Sequence, residues 1–323
     1  MEIILKNKYK IQNLINSITL SEALDGIAYT LELQVTQTEE LKKIGISKGA
    51  TIKMIDISAD TNKFTVIFNG VVWTKNYSNK NKEIHLTCKE RTIYIEKSED
   101  EYIFPAGQTA TQRIKKYCLD WHIPCACLIN TGVKLAKTKC RRESILSMML
   151  KDIKETAQKG GNLYKLRMLD KLNIIKLGSN NTIWRLEIVA QDIEETSSLE
   201  GAVTQVKVLG KNDKDEAKSP VIGVYKKNIN YGTLQKVVQD SKVTNGQQAK
   251  KKADLLFNTG EESVKVSCVK DINTIRSGDV VSLNGTRYYV IDITHKVANT
   301  EGMDITLGQW DYVKRRFYSG DDI

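Results

Sequence analysis

Six cysteines and three histidines are the side chains best suited to chemistry in this chain of 323 residues. Cys118, Cys125, Cys127 and Cys140 fall within one short stretch, with His122 among them. Thiolates and an imidazole at close quarters are the donors of a tetrahedral zinc site. The spacing argues against that use. Structural zinc sites favour C-x2-C knuckles, and Cys125-Ala126-Cys127 is one residue short of one. Cys118 also shares the apolar face of a predicted helix, which accounts for it without a metal. Cys88 and Cys268 sit in alternating apolar runs, where cysteine behaves as a small buried hydrophobe. His85 lies mid-strand, His295 ends a strand, and His122 follows a helix beside Trp121. All three read as structural or exposed.

Paired carboxylates are the other chemistry to test, because two of them flanking a glycosidic bond make a hydrolase. Asp192, Glu194 and Glu195 form one such run, and Glu99, Asp100 and Glu101 another. Both fall at expected junctions between elements, where charge is ordinary. No nucleophile elbow, phosphate loop or dinucleotide glycine pattern occurs. No catalytic, cofactor-binding or metal-binding residue is therefore assigned, and no cofactor is expected.

The net charge of +10 is uneven: residues 134–176 hold twelve Lys/Arg against four Asp/Glu. No aromatic residues interleave with these charges in a nucleic-acid-binding pattern, so they read as a solvated face without sequence-specific nucleic-acid binding. No apolar run approaches the roughly 18–20 residues that span a bilayer. The start, Met1-Glu2-Ile3-Ile4-Leu5-Lys6, meets charge too early for a signal peptide, so synthesis and assembly in the cytoplasm are expected.

Residues 1–95 read as β structure. Ile27, Tyr29, Leu31, Leu33 and Val35 alternate with smaller or polar residues, the period of a half-buried strand. Ile52 and Met54 open another strand, and 64–68 and 71–73 follow with Gly70 between them as an expected bulge or bend. After the polar turn 76–82, Ile84, Leu86 and Cys88 alternate again. Residues 96–178 form an inserted α/β module. Thr109 caps a helix with Ile114, Tyr117, Cys118 and Trp121 on one face. A second helix from about Glu143 turns Ile145, Met148, Met149 and Ile153 inward and stops at Gly160-Gly161, and a hairpin spans 163–177. Residues 179–323 return to strands at 184–189, 202–209, 264–269, 280–283, 288–294 and 303–307, with a polar loop at 210–219 and one helix at 247–258.

The two β portions share an order of parts. Lys48-Gly49-Ala50-Thr51-Ile52-Lys53-Met54 aligns with Ser277-Gly278-Asp279-Val280-Val281-Ser282-Leu283 when Gly49 is laid on Gly278. In each, a glycine turn leads to a strand, a longer strand, a polar turn and a closing strand. The fold class expected is mainly β with an α/β insertion (α+β), built from two antiparallel β-barrels related by internal duplication.

Three ordered segments carry a resemblance. The first joins Gly70-Val71-Val72 to Glu83-Ile84-His85-Leu86-Thr87-Cys88-Lys89-Glu90-Arg91, Tyr102-Ile103-Phe104 and Thr109-Ala110-Thr111-Gln112-Arg113-Ile114. The second is Arg142-Glu143-Ser144-Ile145-Leu146 with Gly160-Gly161-Asn162-Leu163-Tyr164. The third is Leu234-Gln235-Lys236-Val237-Val238-Gln239-Asp240, then residues 249–256, closing with Ser277-Gly278-Asp279-Val280-Val281 and Tyr288-Tyr289-Val290-Ile291. Their order resembles that of the baseplate hub proteins of contractile phages, prophages and phage-tail-like bacteriocins, the PBSX-type, late-control-gene-D-like group.

That resemblance implies two tail-tube-like barrels and a homotrimer adapting the hexameric tail tube to a trimeric central spike. It implies contacts with tail tube protein, spike, other baseplate proteins and tape-measure protein, and a place in the virion baseplate or tail-like particle. It brings no catalytic residues. A wall-degrading tail component, or another baseplate or tube-terminator subunit, is the competing expectation. Interface contacts are expected at Asp56, Ser58, Asp60, Asn62 and Lys63 in one loop and at Asn76, Asn79 and Asn81 in the next.

Overall fold

A computed structural model describes residues 1–26, 28–212, 218–240, 243–298 and 301–319. The chain divides into two compact units, the first made of Met1–Glu194 and Lys265–Leu307, the second of Glu195–Val264 and Gly308–Ile323.

The first unit begins with β1 (Glu2–Leu5), β2 (Tyr9–Lys10), β3 (Ile15–Ala23), β4 (Thr30–Thr36), helix α1 (Glu39–Ile44), β5 (Thr51–Ile57), β6 (Phe64–Ser78), β7 (Glu83–Glu90) and helix α2 (Thr92–Lys97). Next come β8 (Glu99–Phe104), α3 (Ala110–Asp120), β9 (Thr138–Ser144), α4 (Ile145–Gln158), β10 (Tyr164–Met168) and β11 (Leu172–Lys176). Beyond them come β12 (Ala190–Ser198), β13 (Gln205–Leu209), β14 (Val221–Lys226), β15 (Gln235–Gln239), α5 (Gly246–Leu256), β16 (Glu261–Cys268), β17 (Val280–Leu283), β18 (Thr286–Lys296), β19 (Gly302–Gly308) and α6 (Trp310–Val313).

Twelve strands form one sheet in the order β12-β16-β19-β18-β3-β4-β7-β6-β5-β1-β2, with β17 also paired to β18. Within it, β3-β4-β7-β6-β5 and β12-β16-β19-β18-β17 have the same order when each set is numbered along the chain. The alternation read from sequence supplies the core of the first set: Leu31, Leu33, Val35, Ile84, Leu86, Cys88, Ile52 and Met54 are all buried. Each large aliphatic side chain so buried stabilises the fold by about 1.5–3 kcal/mol.

The two glycine turns are built alike. Gly49 (φ 81°) donates to Val72 O at 2.8 Å, and Val72 N donates to Ala50 O at 2.9 Å. Gly278 (φ 88°) donates to Val290 O at 2.8 Å, and Val290 N donates to Asp279 O at 2.9 Å. Positive φ is what demands glycine at both places.

Several expectations shift. Gly70 is no bulge: β6 runs through it, and the register slips instead between Met54 and Ile55 and between Val72 and Thr74. Glycine is needed there because a Cβ would collide with the Lys89 carbonyl oxygen. Residues 184–189 hold a 3-10 turn (Leu186–Ile188) rather than a strand, because β12 starts only at Ala190. Asp192, Glu194 and Glu195 therefore lie on a strand, and Glu99, Asp100 and Glu101 open β8. The strand expected from 202 begins at Gln205, and the helix expected over 247–258 ends at Leu256, where Phe257 turns extended. Ile27, expected to start a strand, and residues 213–217 of the polar loop lie outside the described residues.

Helices α3 and α4 both begin at side-chain caps. Thr109 and Gln112 form a reciprocal capping box on α3, and Ser144 Oγ accepts from Ser147 N at the start of α4. Ile114, Tyr117 and Cys118 are buried, whereas Trp121 lies past the helix end, half-exposed, donating to Asp100 Oδ2 at 2.9 Å. In the second unit β13 pairs antiparallel with β14 and parallel with β15. Val206 and Val208 pack on Ala249, Ala253 and Leu256 of α5. A parallel pair needs a crossover connection, which the intervening segment supplies.

Candidate functional site

Three sets of residues bear on function: the expected interface loops, the cysteine stretch, and a buried ionic cluster that sequence patterns did not reveal. In the first loop Ser58 is buried and closes the turn: Ser58 N donates to Lys63 O, Asn62 N donates to Ser58 O, and Thr61 N donates to Ser58 Oγ. Asn62 takes φ 54°, which asparagine tolerates better than most residues. Asp56 lies 3.3 Å from the N-terminal ammonium, and Asp60 accepts from Trp184 Nε1 at 3.2 Å. Asn273 ties the loop down, donating to Ile57 O and accepting from Ala59 N. Lys63 is exposed. Beside this loop an open groove of about 730 Å³ runs between residues 57–62, 182–189 and 270–273. Ile57, Ile183 and Ile188 of its lining are exposed, Ile188 to 71%. Asn76, Asn79 and Asn81 lie exposed at the far end of the β6–β7 hairpin.

Cys118 and Cys140 are buried, Cys125 is half-buried and Cys127 exposed. Burial pushes the Cys118 thiol up to about 12, and the adjacent Cys125 adds to the effect. Among the described residues no three His, Cys, Asp or Glu side chains converge to hold a metal ion. His85 and His122 are exposed, the latter at φ 51°. His295 is buried, with Nδ1 2.6 Å from Asp271 Oδ1 and Nε2 3.0 Å from Ile275 O. It thereby holds the segment 271–275 against β18.

The ionic cluster draws on four segments of the first unit. Arg276 grips Glu22 with two bonds, from Nε at 2.7 Å and Nη2 at 3.0 Å, and stacks over the Tyr29 ring at 3.7 Å. Ser277 N donates to the same carboxylate at 3.0 Å, and Lys165 Nζ lies 3.3 Å from it. Lys165 also donates to Ala23 O at 2.5 Å and to Ser277 Oγ. Arg167 donates to Ser277 O and Asp279 Oδ1, each at 3.0 Å. Glu90 completes the group, 3.7 Å from Arg276.

Environment sorts these groups. Burial alone would raise the Glu22 carboxyl, but Arg276 and Lys165 outweigh it and hold it well below the usual carboxylate range. Burial dominates at Glu90 and pushes it up to about 8. Burial likewise lowers the Lys165 ammonium to about 8 against the pull of Glu22. A lysine beside a serine hydroxyl is the pairing of some hydrolases. Here Ser277 is 0% and Lys165 3% exposed, so no substrate reaches them. The cluster fastens the β10–β11 hairpin to the end of β3, the end of β7 and the Gly278 turn. A sequence signal existed: Glu22 and Glu90 fall in the inward phase of β3 and β7, after Ile18 and Leu20 and after Ile84, Leu86 and Cys88.

The basic segment is thus divided. Lys165 and Arg167 enter the cluster, while Lys134, Lys137, Lys139, Arg141 and Arg142 are exposed. On α3, Arg113 is wholly buried, bonded to Asp152 at 2.7 Å and Thr138 at 3.0 Å. Burial raises the Asp152 carboxyl to about 7, with Arg113 opposing.

No curated protein sequence matches the chain. Among solved structures, the 43 kDa tail protein of prophage MuSo2 from Shewanella oneidensis is similar at TM-score 0.72 and 13% identity, over 97% of this chain and 99% of that one. A tail protein from Neisseria meningitidis MC58 is similar at TM-score 0.68 and 10% identity, covering 98% of both chains. An Escherichia coli type VI secretion component, c3393, described as structurally similar to the T4 tail proteins gp27 and gp5, is similar at TM-score 0.57 and 10% identity, over 99% of this chain and 80% of that one. The fold, mainly β with antiparallel sheets, is thus one that phage tail proteins share. A family model matches residues 18–308, and the chain belongs to the YQBQ-like family.

Proposed function

We propose that this chain is the structural, non-catalytic hub of a contractile tail machine. Three copies form a ring that receives a hexameric tail tube on one face and a trimeric central spike on the other. The observation that carries the reading is the pair of five-stranded sets with one strand order and one glycine–valine bonding pattern. Six tube subunits need six equivalent surfaces, and a threefold assembly of a chain holding two similar modules supplies them. The proposal keeps the division into a first barrel at 1–95, an α/β insertion at 96–178 and a second barrel at 179–323, related by duplication.

The solved relatives support the setting. Two are tail proteins, and the third belongs to a secretion system and resembles phage tail proteins gp27 and gp5. Function on this reading lies in surfaces. The loop holding Asp56, Ser58, Asp60, Asn62 and Lys63 and the hairpin end with Asn76, Asn79 and Asn81 are the proposed contacts with tube or neighbouring subunits. Spike, other baseplate proteins and tape-measure protein are the further partners. Assembly takes place in the cytoplasm before the subunit joins the tail. Light scattering of the purified chain tests the ring: a trimer is expected, and a monomer at all concentrations overturns it. A zymogram on cell walls tests the absence of catalysis, and a zone of clearing would reverse that part.

A further inference from the structure

The junction inside the chain serves as a template for the junction between chains. Along β18, β17 pairs with residues 286–289 and β3 takes up the ladder at residues 292–296. Laying Val72 on Val290, the two valines that bond the glycine turns, sets residues 74–78 of β6 on residues 292–296 of β18. Both strands end at that point, at Ser78 and Lys296. Along β6, β5 pairs with residues 64–71, yet residues 74–78 pair with β7 alone among the described residues. Residues 74–77 are exposed. The place that β3 fills in the second set is open in the first.

The strand that matches β3 in the second set is β12. Both are nine residues long and begin their five-stranded order. β12 is the terminal strand of the sheet, and residues 191–195 on it are exposed. An open strand edge is a template for pairing with another chain. Charge agrees with this pairing. β12 carries Asp192, Glu194 and Glu195, whereas the open part of β6 carries Lys75, with Lys80 and Lys82 in the turn beyond.

We infer that β12 of one copy pairs antiparallel with residues 74–78 of β6 in the next, as β3 pairs with β18 within a copy. This inference rests on the trimeric reading above and names the contact that closes the ring. A head-to-tail contact of this kind makes a closed ring when its rotation divides the circle evenly. In the β18–β3 ladder Asp292 faces Ala23, Thr294 faces Ser21 and Lys296 faces Thr19. Carried over end to end, Asn76 faces Thr196 of the neighbouring copy.

Cysteine cross-linking tests this in the full chain with the exposed Cys127 changed to Ser. Asn76→Cys combined with Thr196→Cys is expected to give disulfide-linked dimers and trimers under a mild copper–phenanthroline oxidant, which accepts the two electrons released as two thiols join. A protein that is trimeric by light scattering but yields no cross-link from Asn76→Cys with Glu195→Cys, Thr196→Cys or Ser197→Cys overturns the pairing and leaves the trimer standing. A protein that stays monomeric overturns the trimeric reading, and the pairing falls with it. Charge gives a second readout: Glu194→Lys with Glu195→Lys is expected to weaken trimerisation about tenfold, and added Lys75→Glu to restore part of it. Unchanged trimer affinity in the doubly reversed variant would also count against the pairing.

Discussion

Gly49 and Gly278 make the same two backbone bonds in opposite surroundings. Among the described residues nothing lies within 4 Å of the position a side chain would take at Gly49, while Leu24, Leu177 and Lys165 cover Gly278. Backbone geometry at the two turns is set locally, by a glycine with positive φ and a valine across the ladder. Burial is set by what the rest of the chain brings, here the β10–β11 hairpin with Lys165 and Arg167. The second turn has charged residues on either side of its glycine, Arg276 and Asp279, where the first has Ser47, Lys48 and Ala50. One backbone motif thus serves as a bare turn in one place and as a receptor for the β10–β11 hairpin in the other.

The sharpest way to break the contrast is to remove the cover. Arg276→Ala leaves Glu22 buried with its main partner gone and should cost about 3–5 kcal/mol in urea denaturation. The first turn is unaffected by that change, so hydrogen exchange should rise at Val290 and stay unchanged at Val72. Equal loss at both would mean that the two turns are not separately held.

Acidity probes the same cluster. Glu90 holds its proton up to about 8 when folded, against 4.5 ordinarily, so the folded state binds the extra proton between those values. Its contribution therefore falls as pH rises from about 4.5 to about 8. Lys165 acts in the next window: its folded value of about 8 against 10.5 means a burial cost that is relieved as pH climbs between them. Glu22 contributes above 4.5 and its share is lost in acid. Glu90→Gln should flatten the decline between pH 5 and 8 by more than about 1 kcal/mol, followed by the chemical-denaturation midpoint against pH. An unaltered slope would show that Glu90 does not carry it.

Smaller effects refine the comparison. Gly49→Ala and Gly278→Ala should each cost about 1–2 kcal/mol, because the penalty lies in the left-handed backbone that both share. A much larger loss at Gly278 would put the cost in its cover instead. Lys137→Glu and Lys139→Glu, on the exposed side of the basic segment, should stay within about 0.5 kcal/mol. A thermal melt suffices to check them.

How much of this was legible in the sequence follows from the range of each interaction. Period-two alternation exposed β4 and β7, because one side of each faces the core. The cap at Thr109 marked α3, where the bond spans three residues, and the apolar face of Ile145, Met148, Met149 and Ile153 marked α4. The glycine turns aligned because positive φ restricts residue choice. β14 and β15 stayed hidden, since both are short and half-exposed and carry lysines. The ionic cluster stayed hidden for a different reason: Glu22 and Arg276 are 254 positions apart, and no local pattern connects them. Residues 56–63 read as a loop of outward contacts, yet Ser58 turns inward to close it.

Two strand sets of one order in a single chain also set a problem for folding. A newly collapsed chain has two similar ways of seating each strand, and β3 resembles β12 in length and place. Hydrophobic pattern alone separates such arrangements poorly. The cluster at Gly278 does separate them, since a strand without Glu22 seated beside Arg276 leaves a cation buried and unmatched. That penalty falls on the wrong arrangements and widens their gap from the native one. A feature that adds little net stability to the finished molecule therefore acts as a proofreading device on the way to it.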